Sequence, residues 1–171
     1  AETPEGSSNR VNVLNAANHL ANEMNQLFEG IQQLRFEADQ DIKVSTTTVN
    51  LRLRELYGLN AAISNAQAMN RPVSELLDQR DAAIRDISEH IDINIYVRTD
   101  ETVHVYARGG SALIDQNLYE LDYRPATSPN AFLVEDPQMS PLRVFMLDGQ
   151  GNRVSESISL ISGGSSDEIT T

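Results

Sequence analysis

Between Leu76 and Asp92 the sequence LLDQRDAAIRDISEHID gathers Asp78, Arg80, Asp81, Arg85, Asp86, Glu89, His90 and Asp92. Carboxylates in such density could serve as general acid and base, and His90 and Asp92, with His104 further on, could ligate a metal ion. Each use makes a demand. Acid–base work needs burial or like-charge crowding to move a pKa, and a metal needs three or four ligands that converge. On a wheel of 100° per residue, Asp78, Asp81, Arg85 and Glu89 share the face away from the apolar stripe, where Asp81 to Arg85 and Arg85 to Glu89 are spaced for ion pairs. That is a solvated face, and no catalytic residue is assigned to it. Two histidines and one carboxylate at ordinary spacing do not make a metal site, and His90 stands where a helix C-terminus favours an imidazolium. The loop DGQGN at 148–152 lacks the further acids and the final Glu of a calcium loop and reads as a hairpin turn. His19, among Asn and Ala, has nothing to activate. No catalytic, cofactor-binding or metal-binding residue is therefore expected.

The elements that carry these residues are legible from hydrophobic rhythm. Apolar residues recur mostly at gaps of three and four through Leu14, Ala17, Ala21, Met24, Leu27, Ile31, Leu34, Ala38 and Ile42, then Val49, Leu53, Leu56, Ile63 and Ala66. This predicts one long amphipathic helix over about 9–66, with coiled-coil character and no Pro between Pro4 and Pro72. The tract STTT at 45–48 is its weak place, because β-branched polar residues lower helix propensity, and a bend there is the alternative. Gly30 and Gly58 are tolerable at about 1 kcal/mol each. Asn70 and Pro72 stop the helix, and Ser74 is the expected N-cap of a second one running to about His90. Its stripe of Val73, Leu77, Ile84, Ile87 and Ile91 predicts antiparallel packing on the end of the first helix.

Arg80 breaks that stripe. A guanidinium among apolar positions must be paired or must snorkel. With the hairpin turning near residue 70, Arg80 lies opposite Asn60, so hydrogen bonds to Asn60, to backbone carbonyls near it, or to a group from a partner are expected. Leu76, Leu77, Arg80, Ile84, Ile87 and Asn60 are thus the residues expected to lock the helical hairpin.

From Ile91 the period becomes two, with Ile91, Ile93, Ile95 and Val97 alternating with polar positions. TVHVYAR repeats the alternation after the turn TDE, which predicts a β-hairpin. Further strands are expected in SALI, LYELDYR, AFLV (131–134), LRVFML and RVSESISL, with a linker-like tail over about 162–171. The fold class is α+β: a long helix and an antiparallel helical hairpin, followed by a mainly antiparallel β domain. The expected organisation is a helical part over 1–91 and a β-rich outer part over 92–171.

Composition narrows the partners. The 171 residues carry 25 acidic and 13 basic side chains, a net charge of −12, and Lys43 is the single lysine, so no cationic stripe exists to follow nucleic acid. Residues 92–171 hold 12 acids against 5 bases and form the more solvent-facing half. No apolar run approaches the roughly 20 residues of a membrane span, AETPEGSSNR has no signal-peptide pattern, and a soluble chain is expected. The absence of Cys excludes disulfides without fixing a compartment.

One mismatch bears on function. A helix over 9–66 would be about 85 Å long, and a partner of about 17 residues covers some 25 Å of it. The seam of Leu14, Met24, Leu27, Ile31, Leu34 and Ile42 is left to pack on a neighbouring subunit or on further chain. A line of Asn15, Asn18, Asn22 and Asn25 beside it reads as an exposed flank, with a hydrogen-bonding strip between helices of an assembly as the alternative.

The string SELLDQRDAAIRDISEHIDINIYV, followed by TVHVYARGGSALI and ATSP, resembles the flagellar hook-associated protein 1 family. Residues 72–114 carry the close match, and SSNRVNVLNAANHLANEMNQLFEGIQQLR is similar in pattern to the family's long helix. The resemblance implies a secreted, extracellular axial protein of the bacterial flagellum, exported unfolded through the flagellar type III apparatus without a cleaved signal. It also implies a ring of subunits that joins hook to filament. The implied partners are copies of itself, the hook and other hook-associated proteins, and an export chaperone in the full-length protein. A full-length member has further terminal helices, one of which packs on the long helix. Neither nucleic acid nor membrane is an expected partner. The competing reading is an extracellular binding module, a coiled-coil adaptor or adhesin whose β domain holds a ligand. A pocket with shifted carboxylates in 92–160 would favour that reading.

Overall fold

The computed structural model describes residues 4–128, 140–154 and 158–159, with side chains over 9–128 and 140–154. The first helix, α1, runs without interruption over Pro4–Ala68. The bend considered at 45–48 does not occur. Thr46, Thr47 and Thr48 donate their hydroxyls to the carbonyls of Ile42, Lys43 and Val44 at 2.7, 2.9 and 3.2 Å, so these polar side chains bond within the helix instead of competing with it. Asn70, with φ 51°, ends the helix in the left-handed conformation, and Arg71 N–H returns to the carbonyl of Ala66 at 2.8 Å.

The second helix, α2, spans Ser74–Ser88. Ser74 is not its cap, as the sequence suggested, but its first helical residue. Val73 precedes it with near-helical ψ of −1°, no side chain caps the end, and the Val73 carbonyl accepts from Leu77 N–H at 2.9 Å. A salt bridge of 2.9 Å between Arg52 and Asp86 joins the two helices as they run antiparallel.

Among the described residues six strands follow: β1 (Ile93–Val97), β2 (Val103–Ala107), β3 (Ala112–Ile114), β4 (Tyr119–Asp122), β5 (Arg143–Met146) and β6 (Ile158–Ser159). They form two three-stranded sheets in the orders β1-β2-β3 and β4-β5-β6, with every pairing antiparallel. The expected hairpin is present, with Ile95 opposite Val105. Gly110, at φ 90°, makes the turn into β3 that a side chain would strain. The strand expected at 131–134 and the tail expected at 162–171 lie outside the described residues.

The chain divides into two compact units, residues 1–40 with 126–138 and residues 41–125 with 139–171. In the first, buried Asp39 accepts from Ala126 N–H at 2.6 Å and Gln40 donates to the Ala126 carbonyl at 3.1 Å. The second has one apolar core that draws on both helices and both sheets: Val49, Leu53, Leu56, Ala83, Ile87, Val103, Val105, Leu113, Ile114, Leu121 and Val144. Residues 41–91 therefore share their core with the strands that follow them. The reason is physical. A three-stranded sheet with one apolar face must cover it, and the stripe of α1 beyond Val49 together with α2 supplies the cover.

Candidate functional site

Three groups of residues in this fold deserve weighing as sites: the polar residues that fasten helices to strands, the clefts, and the apolar surface left open.

The fastening is made by side-chain amides and one guanidinium. Asn60 treats β2 as a neighbouring strand would: its Nδ2 donates to the Val103 carbonyl at 2.8 Å, and its Oδ1 accepts from Val103 N–H at 3.0 Å. Asn50 does the same to Leu121 on β4, at 2.7 and 2.8 Å. Both target residues are buried, so each amide satisfies a donor and an acceptor that water does not reach. Asn50 was missed by sequence reasoning. The available signal was an amide beside the buried Val49 and Leu53, the same signal that Arg80 gives on α2.

Arg80 is buried, as its place in the stripe requires, but its partner is not Asn60. Nη1 donates to the carbonyl of Glu101 at 2.7 Å, while Nε and Nη2 donate to Asp81 Oδ1 at 2.9 and 2.8 Å. Asn60 is already committed to Val103, and the β1–β2 turn brings a free carbonyl within the guanidinium's reach. Asp81 is thereby held by Arg80, where pairing with Arg85 had been expected. Asp78, Asp81, Arg85 and Glu89 are all exposed. Leu76, Leu77 and Ile84 are half-buried and Ile87 is fully buried against the core.

A cleft of about 440 Å³ is lined by Ile42, Val49, Ile91, Ala107, Leu121 and Leu142, with Asp41, His90, Asp92 and Arg108 among the residues at its polar margin. His90 and Asp92 thus share a cleft, but His104 faces another one, beside Asn94, Tyr96, Tyr106 and Gly110. Among the described residues no group of three or more His, Asp or Glu side chains could hold a metal ion. His19 pairs with Glu23 at 3.3 Å on an exposed stretch of α1.

The carboxylates with displaced pKa values serve turns. Asp100 is held below its ordinary value first by the Thr102 hydroxyl at 2.6 Å, with Thr102 N–H adding to it. Asp148 is lowered by the Asn152 N–H, the Asn152 side-chain amide and the Gln150 N–H, so DGQGN is a self-bonded turn whose acid accepts three hydrogen bonds from within it. Burial, followed by the nearby Asp115 carboxylate, pushes the Tyr119 hydroxyl upward. Asp148 also lines a cleft of about 280 Å³, with Arg54, Tyr57, Asn117, Leu118 and Leu147, so one shifted carboxylate does stand at a cleft.

The open apolar surface is larger. Leu14, Met24, Leu27, Ile31 and Leu34 of α1 are between 45% (Ile31) and 70% (Leu27) exposed. On the same helix Gln32, Asp39 and Thr46, seven residues apart, are buried. Over these turns the apolar stripe read from helix periodicity is exposed, and the positions covered are polar ones. Ile42 departs from the rest of the expected seam, because it is half-buried and lines the large cleft.

No helix is long and apolar enough to cross a membrane among the described residues. A family model described as the flagellar hook-associated protein FlgK helical domain matches residues 1–165. No curated protein matches the chain.

Proposed function

We propose that this chain, which belongs to the flagellar hook-associated protein FlgK family and has that family's structural role in the flagellum, joins hook to filament by packing between subunits. The exposed seam of Leu14, Met24, Leu27, Ile31 and Leu34 carries the reading. A helix face of five large apolar side chains at gaps of three to ten is a packing surface, since solvent contact with that much aliphatic area is unfavourable. Its neighbours are copies of the same protein, further helical chain of the parent protein, and the axial proteins on either side. The helical residues to about 91 supply packing, and the acidic residues from 92 onward present a solvated surface outside the cell. An export chaperone acts on the full-length protein before assembly.

The test is genetic. Deleting the parent gene is expected to leave hooks in place while filament protein is shed into the medium, and normal filaments in that strain would refute the junction role. Complementation with a gene carrying Leu27→Glu and Leu34→Glu is expected to restore secretion of the protein but not filament attachment.

A further inference from the structure

Alternation along the β1–β2 hairpin puts Val103 and Val105 on the buried side. Asn94 and Tyr96 of β1, Arg98 just after it, and His104 and Tyr106 of β2 therefore share the opposite side, and none of these is aliphatic. In the register Asn94 stands opposite Tyr106 and Tyr96 opposite His104, which sets the two tyrosines on a diagonal. Their rings meet edge to face, with centroids 5.6 Å apart and planes at 81°, and the His104 ring is 6.5 Å from that of Tyr106. Two rings near a right angle make a floor and a wall. Asn94, His104 and Gly110 complete the corner as an open cleft of about 370 Å³. A Cβ on Gly110 would meet nothing within 4 Å, so the rim at that end is free of side chain.

The polar groups of the corner are unused. Among the described residues the Asn94 amide and the Tyr96 and Tyr106 hydroxyls bond to nothing else in the chain. Arg98 Nη1 lies 3.1 Å from His104 Nε2. A guanidinium can only donate, so the imidazole accepts there and carries its proton on Nδ1. Asp100 is bonded to the Thr102 hydroxyl at 2.6 Å and feels Arg98 as a more distant charge. At the other end of the face Asp92 and Arg108 neutralise each other at 2.9 Å. Arg98 is left as the cation that a ligand in the corner would meet.

We propose that this corner binds a pyranose carrying a carboxylate, an acidic sugar unit of a polysaccharide. Tyr96, 60% exposed, offers its face to the apolar C–H side of the sugar, whose polarised hydrogens suit the negative face of a phenol ring. Tyr106 closes the second side, Asn94 and the two hydroxyls exchange hydrogen bonds with the sugar hydroxyls, and Arg98 takes the carboxylate. An apolar platform with a few orienting polar groups is the ordinary make-up of a small-ligand site. Charge limits the ligand. At −12 overall the chain repels a dense polyanion, whereas one carboxylate beside Arg98 lies well within a Debye length of its partner charge. A protein interface of ordinary size needs about 800 Å² on each side, and a face of two open rings without an aliphatic side chain suits one or two sugar units better. The site uses no residue of the α1 seam and stands apart from the junction reading.

Amide chemical-shift titration of the chain with three probes tests this: the methyl glycosides of glucuronic acid, of N-acetylneuraminic acid and, as the neutral control, of glucose. At least one acidic probe is expected to shift the amides of 94–98 and 104–110 with millimolar affinity, and the glucoside to bind roughly tenfold more weakly for want of the carboxylate. Glucuronic acid stands for uronic-acid polysaccharides and N-acetylneuraminic acid for sialylated glycans, so the preferred probe identifies the source. Tyr96→Ala should abolish binding, while Tyr96→Phe, which keeps the ring, should retain most of it. Arg98→Gln should weaken the acidic probe roughly tenfold and bring it level with the glucoside. Tyr57→Ala, at a different cleft, should change nothing. Circular dichroism and a cooperative melt show that each variant is folded. The proposal is overturned if neither acid shifts these amides at roughly 10 mM, if the glucoside binds as tightly as the acids, or if binding survives Tyr96→Ala. Shifts at this face with purified hook or filament protein, and none with either sugar acid, would overturn it in favour of a protein contact.

Discussion

The guanidinium of Arg80 on α2 holds the carbonyl of Glu101, 2.7 Å from Nη1, at a turn residue whose φ is 60°. A non-glycine residue in that region carries strain that surrounding contacts must offset, and the buried guanidinium supplies one such contact. Arg80→Met keeps much of the stem packing and removes the donors. The expected loss is about 1–3 kcal/mol, read as a fall in urea or thermal midpoint. Glu101→Gly should partly restore the stability of that variant by relieving the turn. An unchanged midpoint for Arg80→Met would show that the contact has no stabilising role.

Asn60→Ala and Asn50→Ala each leave a buried N–H and a buried C=O without their partner. Each should cost about 1–3 kcal/mol, or several degrees of melting temperature in a chain of this size. Asn60 fastens one sheet and Asn50 the other, ten residues apart on α1. The double variant is therefore expected to be additive to within about 0.5 kcal/mol.

Acid should remove the turn stabilisation of Asp100 and Asp148. Both carboxylates have folded-state values below their ordinary one, so each contributes stability above about pH 4 and loses it as pH falls through the folded value. Asp148→Asn is expected to melt below wild type at pH 7, with the gap closing as the buffer is taken down to about pH 2. A gap that widens on acidification would reverse the sign of this linkage.

Gly58 lies inside α1, and a Cβ added there meets nothing within 4 Å. Gly58→Ala is expected to raise stability by about 0.5–1 kcal/mol through helix propensity and a less entropic unfolded chain. A lowered midpoint would mean that the helix does not pass through residue 58 with ordinary geometry.

How much of this was readable in advance can be judged from particular residues. The periods of three to four and of two located α1, α2 and the β1–β2 hairpin, because local periodicity reports which face of an element is apolar. The Asn70 and Pro72 stop was equally legible, since both act on the backbone at their own position. Arg80 announced itself as anomalous by interrupting a stripe, yet its partner could not be named. Glu101 is brought to it by a strand turn that the helical wheel does not contain. The clasp of Asn50 on Leu121 joins residues 71 positions apart, a separation over which periodicity says nothing.

The sequence by itself determined the elements, their order, the acidic charge and the presence of an apolar seam longer than α2 can cover, because these follow from propensity, period and length. Only the tertiary structure decided that residues 41–91 and the strands share one core, that Gln32, Asp39 and Thr46 are buried while Leu27 and Leu34 are open, and that β1 has one edge without a neighbour among the described strands. Those outcomes depend on which backbone groups and surfaces meet across the fold, and that is settled by packing distant segments together.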